Sequence, residues 1–288
     1  RFNMNFKNIT CKNANQAFVE GLASLYFHGG DIKSRGFTAK ENLFVSFEID
    51  DPTQLDIEVP ARKFNEDYAI LEWLWYLNAD PSVENIGKFA QIWNDIADTR
   101  GNVESNYGYY LRSQWDWIIA ELINDPDSRR ATVVINNSSH KYKNEKDYPC
   151  TQYLHFFIRE NELHMLTSMR SNDAVFGFCN DVFTFCLFQQ LMKNELNSRG
   201  LNVKIGKYYH FAGSFHVYER HYNMMEKICK NYYAKCLENG YPQHLKRFEL
   251  KPEFTWSSFQ KHVRFLSAPQ EKSDIEDIVK SYKRWIFK

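Results

Sequence analysis

The sequence predicts an α+β fold in which a mixed β-sheet is packed with helices. Three observations lead there. Apolar segments with helical spacing are interspersed with β-branched segments that alternate, and they follow no regular βαβ rhythm. At 288 residues, with 43% hydrophobic and 25% charged residues and only 8 prolines, the composition is that of an ordinary soluble globular protein with enough apolar residues for a core. No internal repeat, low-complexity tract or linker divides the chain, so residues 1–288 read as a single domain.

Residues 15–28 read as a helix, with Phe18, Leu22 and Leu25 on one face. Gly29, Gly30 and Asp31 stop it, and 32–38 reads as a polar loop. Residues 43–49 alternate like a strand. The aromatic and apolar run 68–77 predicts a buried helix with one acid, Glu72, inside it. A helix over 114–123 closes at Asn124-Asp125-Pro126. Strands are predicted at 131–136, 152–158 and 164–169, the last two joined by a turn at Glu160-Asn161-Glu162. A long apolar helix covers 181–194. An extended segment covers 208–218, with a helix beginning at Glu219. The aromatic and basic stretch 238–288 has no pattern that assigns it a role.

Lys plus Arg equal Asp plus Glu at 36 each, so no global field draws the chain to a nucleic acid polymer or a membrane. An anionic ligand would need a local cluster of cations, which favours a small phosphate-bearing molecule. No apolar run is long enough to span a bilayer. The first ten residues lack the apolar core of a secretory signal, and the six cysteines show no CxxC or zinc-ligand spacing. We expect reduced thiols, a cytoplasmic location and no metal.

Several residue types stand out. Cys150, after Pro149 and just before a strand, could be an exposed nucleophile or a small buried hydrophobe. Arg129 and Arg130 follow a turn, where a solvated surface pair is the plain alternative. Arg170-Ser171 at a strand end could offer a guanidinium fork and a hydroxyl to a phosphate, or form a salt bridge. Glu72 is surrounded by apolar neighbours, so it must be paired, protonated or used. His216 and Tyr218 alternate and should share one face of an extended segment, suited to a sugar hydroxyl or to a satisfied core pair.

Taken in chain order, these segments resemble the thymidylate synthase family over roughly residues 15–230. Pro149-Cys150, then Arg170-Ser171, Asp173 and Gly177, reproduce the spacing of that family's catalytic stretch. Glu72-Trp73-Leu74-Trp75-Tyr76-Leu77 resembles its Glu-containing helix. Ile92-Trp93, Tyr107-Gly108, the Arg129-Arg130 segment and Gly213 to Tyr218 match further landmarks. The departures point to a branch. Thr151 replaces a His, Met169 a Gln and Ser214 an Asp, and Asp181 stands where the synthases carry the Asn that reads uracil. With Met169-Arg170-Ser171-Asn172-Asp173, this combination looks like the phage deoxycytidylate hydroxymethylases.

The resemblance implies a sheet-to-sheet homodimer and a reaction of dCMP with 5,10-methylenetetrahydrofolate. Cys150 would add to C6 of the base, making C5 the nucleophile that takes the one-carbon unit. After loss of the C5 proton, water would complete a hydroxymethyl group. Glu72 would organise water and proton transfers. Arg35, Arg170 and Ser171, with Arg129 and Arg130 from the partner subunit, would hold the phosphate. His216 and Tyr218 would hold the 3′-hydroxyl, and Tyr107 would line the nucleotide site. Trp93, Asp173 and Gly177 would face the folate. An amide at 181 matches the O4 acceptor and N3–H donor of uracil, whereas a carboxylate accepts from the cytosine amino group and shares a proton with N3. The alternatives are C5 methylation of dUMP or dCMP, hydroxymethylation of CMP, and a catalytically silent nucleotide- or RNA-binding homologue.

Overall fold

The computed structural model describes residues 6–142, 146–262 and 268–288. Residues 1–5, 143–145 and 263–267 lie outside the described residues; they belong to the N-terminal, turn-rich and C-terminal stretches read above. The strands are β1 (Lys7–Cys11), β2 (Gly30–Ser34), β3 (Phe37–Ile49), β4 (Thr132–Val134), β5 (Thr151–Arg159), β6 (Glu162–Asp173) and β7 (Lys204–Tyr218). The helices are α1 (Ala14–His28), α2 (Glu66–Asn78), α3 (Gln91–Ile96), α4 (Tyr107–Asn124), α5 (Gly177–Ser198), α6 (Tyr222–Lys227), α7 (Ala234–Asn239), α8 (Trp256–His262) and α9 (Lys272–Ile286). The class is α+β. Two compact units divide the chain: residues 1–64, 165–186 and 206–248 form the first, and 65–164, 187–205 and 249–288 the second.

In the first unit the strand order is β1-β3-β7-β6, with β2 paired to β3. β1 runs parallel to β3, while β2 and β7 run antiparallel to it. The segment 32–38, expected to be a loop, is instead part of the β2–β3 hairpin. Arg35 (φ 48) and Gly36 (φ 85) form its two-residue turn, and left-handed residues at both positions give the twist that hairpins favour. β2 is solvent-facing and polar, so it carries no apolar alternation to read. Phe18, Leu22 and Leu25 of α1 are fully buried. Phe47, Phe178 and Phe215 pack against one another, Phe47 and Phe178 at 4.6 Å between ring centres.

In the second unit β4 pairs antiparallel with β5, which turns into β6 through Glu160 (φ 53) and Asn161 (φ 61). α2 is buried from Ala69 through Leu77, and the Asn65 side chain caps it by accepting the Tyr68 N–H at 3.0 Å. α4 starts at Tyr107, well before the predicted 114. Asn106 caps it, accepting from the Tyr109 N–H at 2.9 Å and donating to the carbonyls of Trp75 and Asp80. Gly108 lets α4 lie directly on α2: a Cβ there would stand 1.6 Å from the Tyr76 carbonyl oxygen. The C-terminal stretch has a structural role here. Trp256 is buried, donates to the Leu77 carbonyl at 2.9 Å and packs on Trp115 and Phe188. On α9, Ile275, Val279, Tyr282 and Ile286 form the buried stripe of an amphipathic helix.

Candidate active site

Of the residues singled out in the sequence, Glu72, Trp93, Tyr107, Arg129, Arg130 and Cys150 lie in the second unit. Arg35, Arg170, Ser171, Asp173, Gly177, Asp181, His216 and Tyr218 lie in the first.

Cys150 directly precedes β5 and is half-buried, whereas the other five cysteines are buried. Burial pushes the Cys179 thiol up to about 11 and that of Cys229 up to about 12, so both stay protonated and unreactive at neutral pH. The turn before Cys150 is pinned from two sides. Asn136 donates to the Pro149 carbonyl at 3.2 Å. Asp147 accepts from the Ser105 N–H and hydroxyl at 2.6 Å each.

Tyr68, Glu72 and Tyr76 recur every four residues, which puts them on one face of α2. Glu72 is only 6% exposed and accepts from the Tyr76 hydroxyl at 3.1 Å. Tyr68 also hydrogen-bonds to Glu72, and its oxygen accepts the Trp93 indole N–H at 2.9 Å. Burial, reinforced by the Glu72 charge, pushes the Tyr68 phenol up and keeps it a donor. Tyr76 stacks on Tyr107 with ring centres 5.3 Å apart. The structure thus brings Glu72, Trp93 and Tyr107 into one cluster, linked through two tyrosines that the sequence reading did not single out.

Arg130 grips both carboxylate oxygens of Glu121 at 2.8 Å through Nε and Nη2. Ser128, and then Arg130, hold the Glu121 carboxyl below the usual range. The Arg130 side chain is 75% exposed, so solvent screens this pair and Arg130 could yield to a phosphate. Arg129 is exposed, and its carbonyl pairs with His155 Nε2 at 3.0 Å.

In the first unit, Arg170, Ser171 and Asp173 lie at the end of β6, and Asp181 lies one turn beyond Gly177 on α5. A Cβ on Gly213 would meet the Arg170 carbonyl at 3.1 Å, so the glycine allows β7 close to this strand end. The Asp173 carboxylate accepts from the backbone N–H groups of Val175, Phe176 and Gly177 at 3.0–3.3 Å, which fixes the start of α5. Asn172 Nδ2 donates to Asp181 Oδ2 at 2.7 Å. His210 Nε2 lies 2.9 Å from Asn172 Oδ1, and the Tyr208 hydroxyl lies 2.8 Å from His210 Nδ1. His216 and Tyr218 share a face of β7, their rings edge to face at 4.9 Å. Burial holds His216 below the usual imidazole range, so it is neutral and can both donate and accept. Arg35 sits exposed at the hairpin tip.

Arg62, in a segment with no periodic pattern of its own, is a further candidate. It is 5% exposed, donates from Nε to the Val175 carbonyl at 2.6 Å, and places its guanidinium carbon 4.5 Å from the centre of the Phe176 ring. No carboxylate pairs with it among the described residues, and a buried cation in that state is suited to an anionic ligand. Among the described residues, no group of His, Cys, Asp and Glu could hold a metal, and no helix is long and apolar enough to cross a membrane.

The thymidylate synthase family model matches residues 44–262. The chain belongs to the thymidylate synthase family. It is an enzyme of the one-carbon transferase class. Over 174 residues it is 32% identical to the deoxycytidylate 5-hydroxymethyltransferase of Enterobacteria phage T4, covering 56% of this chain and 71% of that relative. It is 27% identical over 226 residues to the deoxyuridylate hydroxymethyltransferase of Bacillus phage SP01, covering 70% of this chain and 56% of the relative. The solved structure of thermostable thymidylate synthase A from Bacillus subtilis shares the fold, with a TM-score of 0.61 at 20% identity over 74% of this chain and 84% of that one.

Proposed function

We propose that this chain is a deoxycytidylate 5-hydroxymethyltransferase, acting as a single catalytic domain over residues 1–288 in the cytoplasm of a host cell. The observation that carries the proposal is Asp181, a carboxylate where the synthases place an amide, with Asn172 donating to its Oδ2. An oxygen held as an acceptor suits the amino group of cytosine. Facing the O4 acceptor of uracil it would leave buried polar groups mismatched, at about 1–3 kcal/mol each.

In this reading the Cys150 sulfur forms a bond to C6 of dCMP and the C5=C6 double bond opens, leaving C5 electron-rich. Asp181 shares a proton with N3, which draws electrons from C6 and favours the addition. The co-substrate class, methylenetetrahydrofolate, supplies a methylene at the oxidation level of formaldehyde. The buried cation Arg62 and the exposed ring of Phe176 beside it are suited to its anionic tail and flat ring. Trp93, Asp173 and Gly177 are the other residues we assign to it. Glu72, held by Tyr68 and Tyr76, positions water and accepts or returns protons as C5 loses its hydrogen. C5 bonds to the methylene, and tetrahydrofolate leaves as the C5 proton is lost. Water adds to the exocyclic methylene so formed to complete the hydroxymethyl group, and the Cys150–C6 bond breaks to restore the ring and free the thiolate.

Arg35, Arg170 and Ser171, with Arg129 and Arg130 of a second copy of the chain, hold the 5′-phosphate. For that, Arg130 must exchange or share Glu121. His216 and Tyr218 hold the 3′-hydroxyl, and Tyr107 lines the nucleotide site. A second reading, hydroxymethylation of dUMP, is favoured by the Bacillus phage relative, and the base preference separates the two.

The test is tritium release from 5-tritiated dCMP and dUMP with methylenetetrahydrofolate. We expect faster release from dCMP, and none above background from Cys150→Ser, which should still bind the nucleotide. Faster release from dUMP would move the assignment to the second reading. Near wild-type release by Cys150→Ser would remove the nucleophile from its role.

A further inference from the structure

We propose that Tyr208, His210 and Asn172 form a one-way hydrogen-bond relay that holds Asp181 as a proton acceptor and so sets the preference for an amino over a keto group on the pyrimidine. The proposal rests on the base-reading role given to Asp181 above.

All four residues belong to the first unit and come from β7, β6 and α5. Tyr208 and His210 are fully buried, and Asn172 is 2% exposed. The His210 ring packs against Phe47 and Phe178, which supply no charge to stabilise an imidazolium. Burial pushes its pKa down to about 3, so it carries one N–H and one lone pair. Burial also pushes the Tyr208 phenol up, which keeps its single proton.

Each link then fixes the next. A carboxylate at Asp181 requires the Asn172 amide N–H, which turns the Asn172 carbonyl toward His210. His210 must therefore carry its proton on Nε2, and its Nδ1 lone pair accepts the Tyr208 O–H. Running the relay backwards would present the Asn172 carbonyl to Asp181 Oδ2, and that oxygen would then have to be protonated. Asn172 alone, without His210 behind it, could turn either way. Tyr208 and His210 are thus positioning residues: turning Asn172 over would also require the His210 tautomer and the Tyr208 hydroxyl to reverse, so the relay disfavours that orientation and the proton on Asp181 Oδ2 that goes with it.

The test uses the full chain. Nitrogen-15 NMR of labelled histidine should show His210 as the neutral Nε2–H tautomer, and the Nδ1–H tautomer would overturn the relay. His210→Phe keeps the ring volume but loses both nitrogens. By calorimetry, the ratio of dCMP to dUMP affinity should fall about tenfold or more. His210→Gln, which keeps an N–H near the Nε2 position, should recover part of that ratio, a rescue that lost packing alone would not give. If His210→Phe does not fold, Tyr208→Phe removes a single oxygen and should lower the ratio in the same direction. An unchanged ratio in the folded variant overturns the proposal. Asp181→Asn separates the two levels. If it leaves the ratio unchanged, the base-reading role itself has failed. If it shifts the ratio while His210→Phe does not, only the relay has failed.

Discussion

The chemistry assigned to Asp181 turns on which hydrogens a single oxygen receives. Replacing it with Asn offers one donor and one acceptor, the match for uracil. At about 1–3 kcal/mol per mismatched buried group, Asp181→Asn should shift the dCMP to dUMP ratio of kcat/KM toward dUMP by about 5- to 150-fold. Tritium release on both nucleotides measures this, and an unchanged ratio would contradict it. Cys150, Asp181 and the Arg170-Ser171 pair stand out as candidates in the sequence because they sit at fixed spacings along a linear motif. Arg62 was not legible. In the sequence it is one basic residue beside Lys63, and only its burial against Phe176 marks it out. The relay was equally hidden. Asn172 and His210 are far apart in the chain, and no pattern in either strand declares which side chain on one meets which on the other.

Among the elements, the contact between α2 and α4 shows what a landmark motif is for. Tyr107-Gly108 reads as a signature, and the structure gives its reason: Tyr107 stacks on Tyr76 while Gly108 lies against the Tyr76 carbonyl. Gly108→Ala should push α4 off α2. The helix propensity gained, about 1 kcal/mol, cannot offset a backbone clash that no side-chain rotation relieves. We expect a net loss of about 2 kcal/mol or more in urea unfolding; an equal or raised stability would contradict the packing described. The positions of α1, α2, β5, β6 and β7 follow from strong apolar periods and runs along the chain. The start of α4 was missed because its first turns expose Tyr109 and carry Gly108, which weakens the apolar period. The β2–β3 hairpin was missed because β2 faces solvent and lacks alternation.

Across the whole molecule, buried neutral histidines tie stability to pH. His210 has a folded pKa of about 3 against 6.5 for the free side chain. Below 6.5 the unfolded chain therefore binds a proton that the folded chain refuses. The stability associated with His210 is complete above pH 6.5 and falls by about 1.4 kcal/mol per pH unit as the pH drops toward 3. His216 and His221, also lowered chiefly by burial, act with the same sign. Urea unfolding between pH 7 and pH 4 should show a shallower acid slope for His210→Phe than for the wild type, and equal slopes would contradict this account. The same scale shows why the last fifty residues resisted reading. Trp256 and the α9 stripe complete the core of the second unit, a packing role that leaves no motif.

In the proposed reaction this chain places a hydroxymethyl group on carbon 5 of a cytosine nucleotide. Mass spectrometry of the nucleotide recovered after incubation with dCMP and methylenetetrahydrofolate tests it most directly, because hydroxymethyl and methyl products differ by one oxygen. We predict the hydroxymethyl mass. A methyl mass, or unmodified dCMP alongside modified dUMP, would contradict the account.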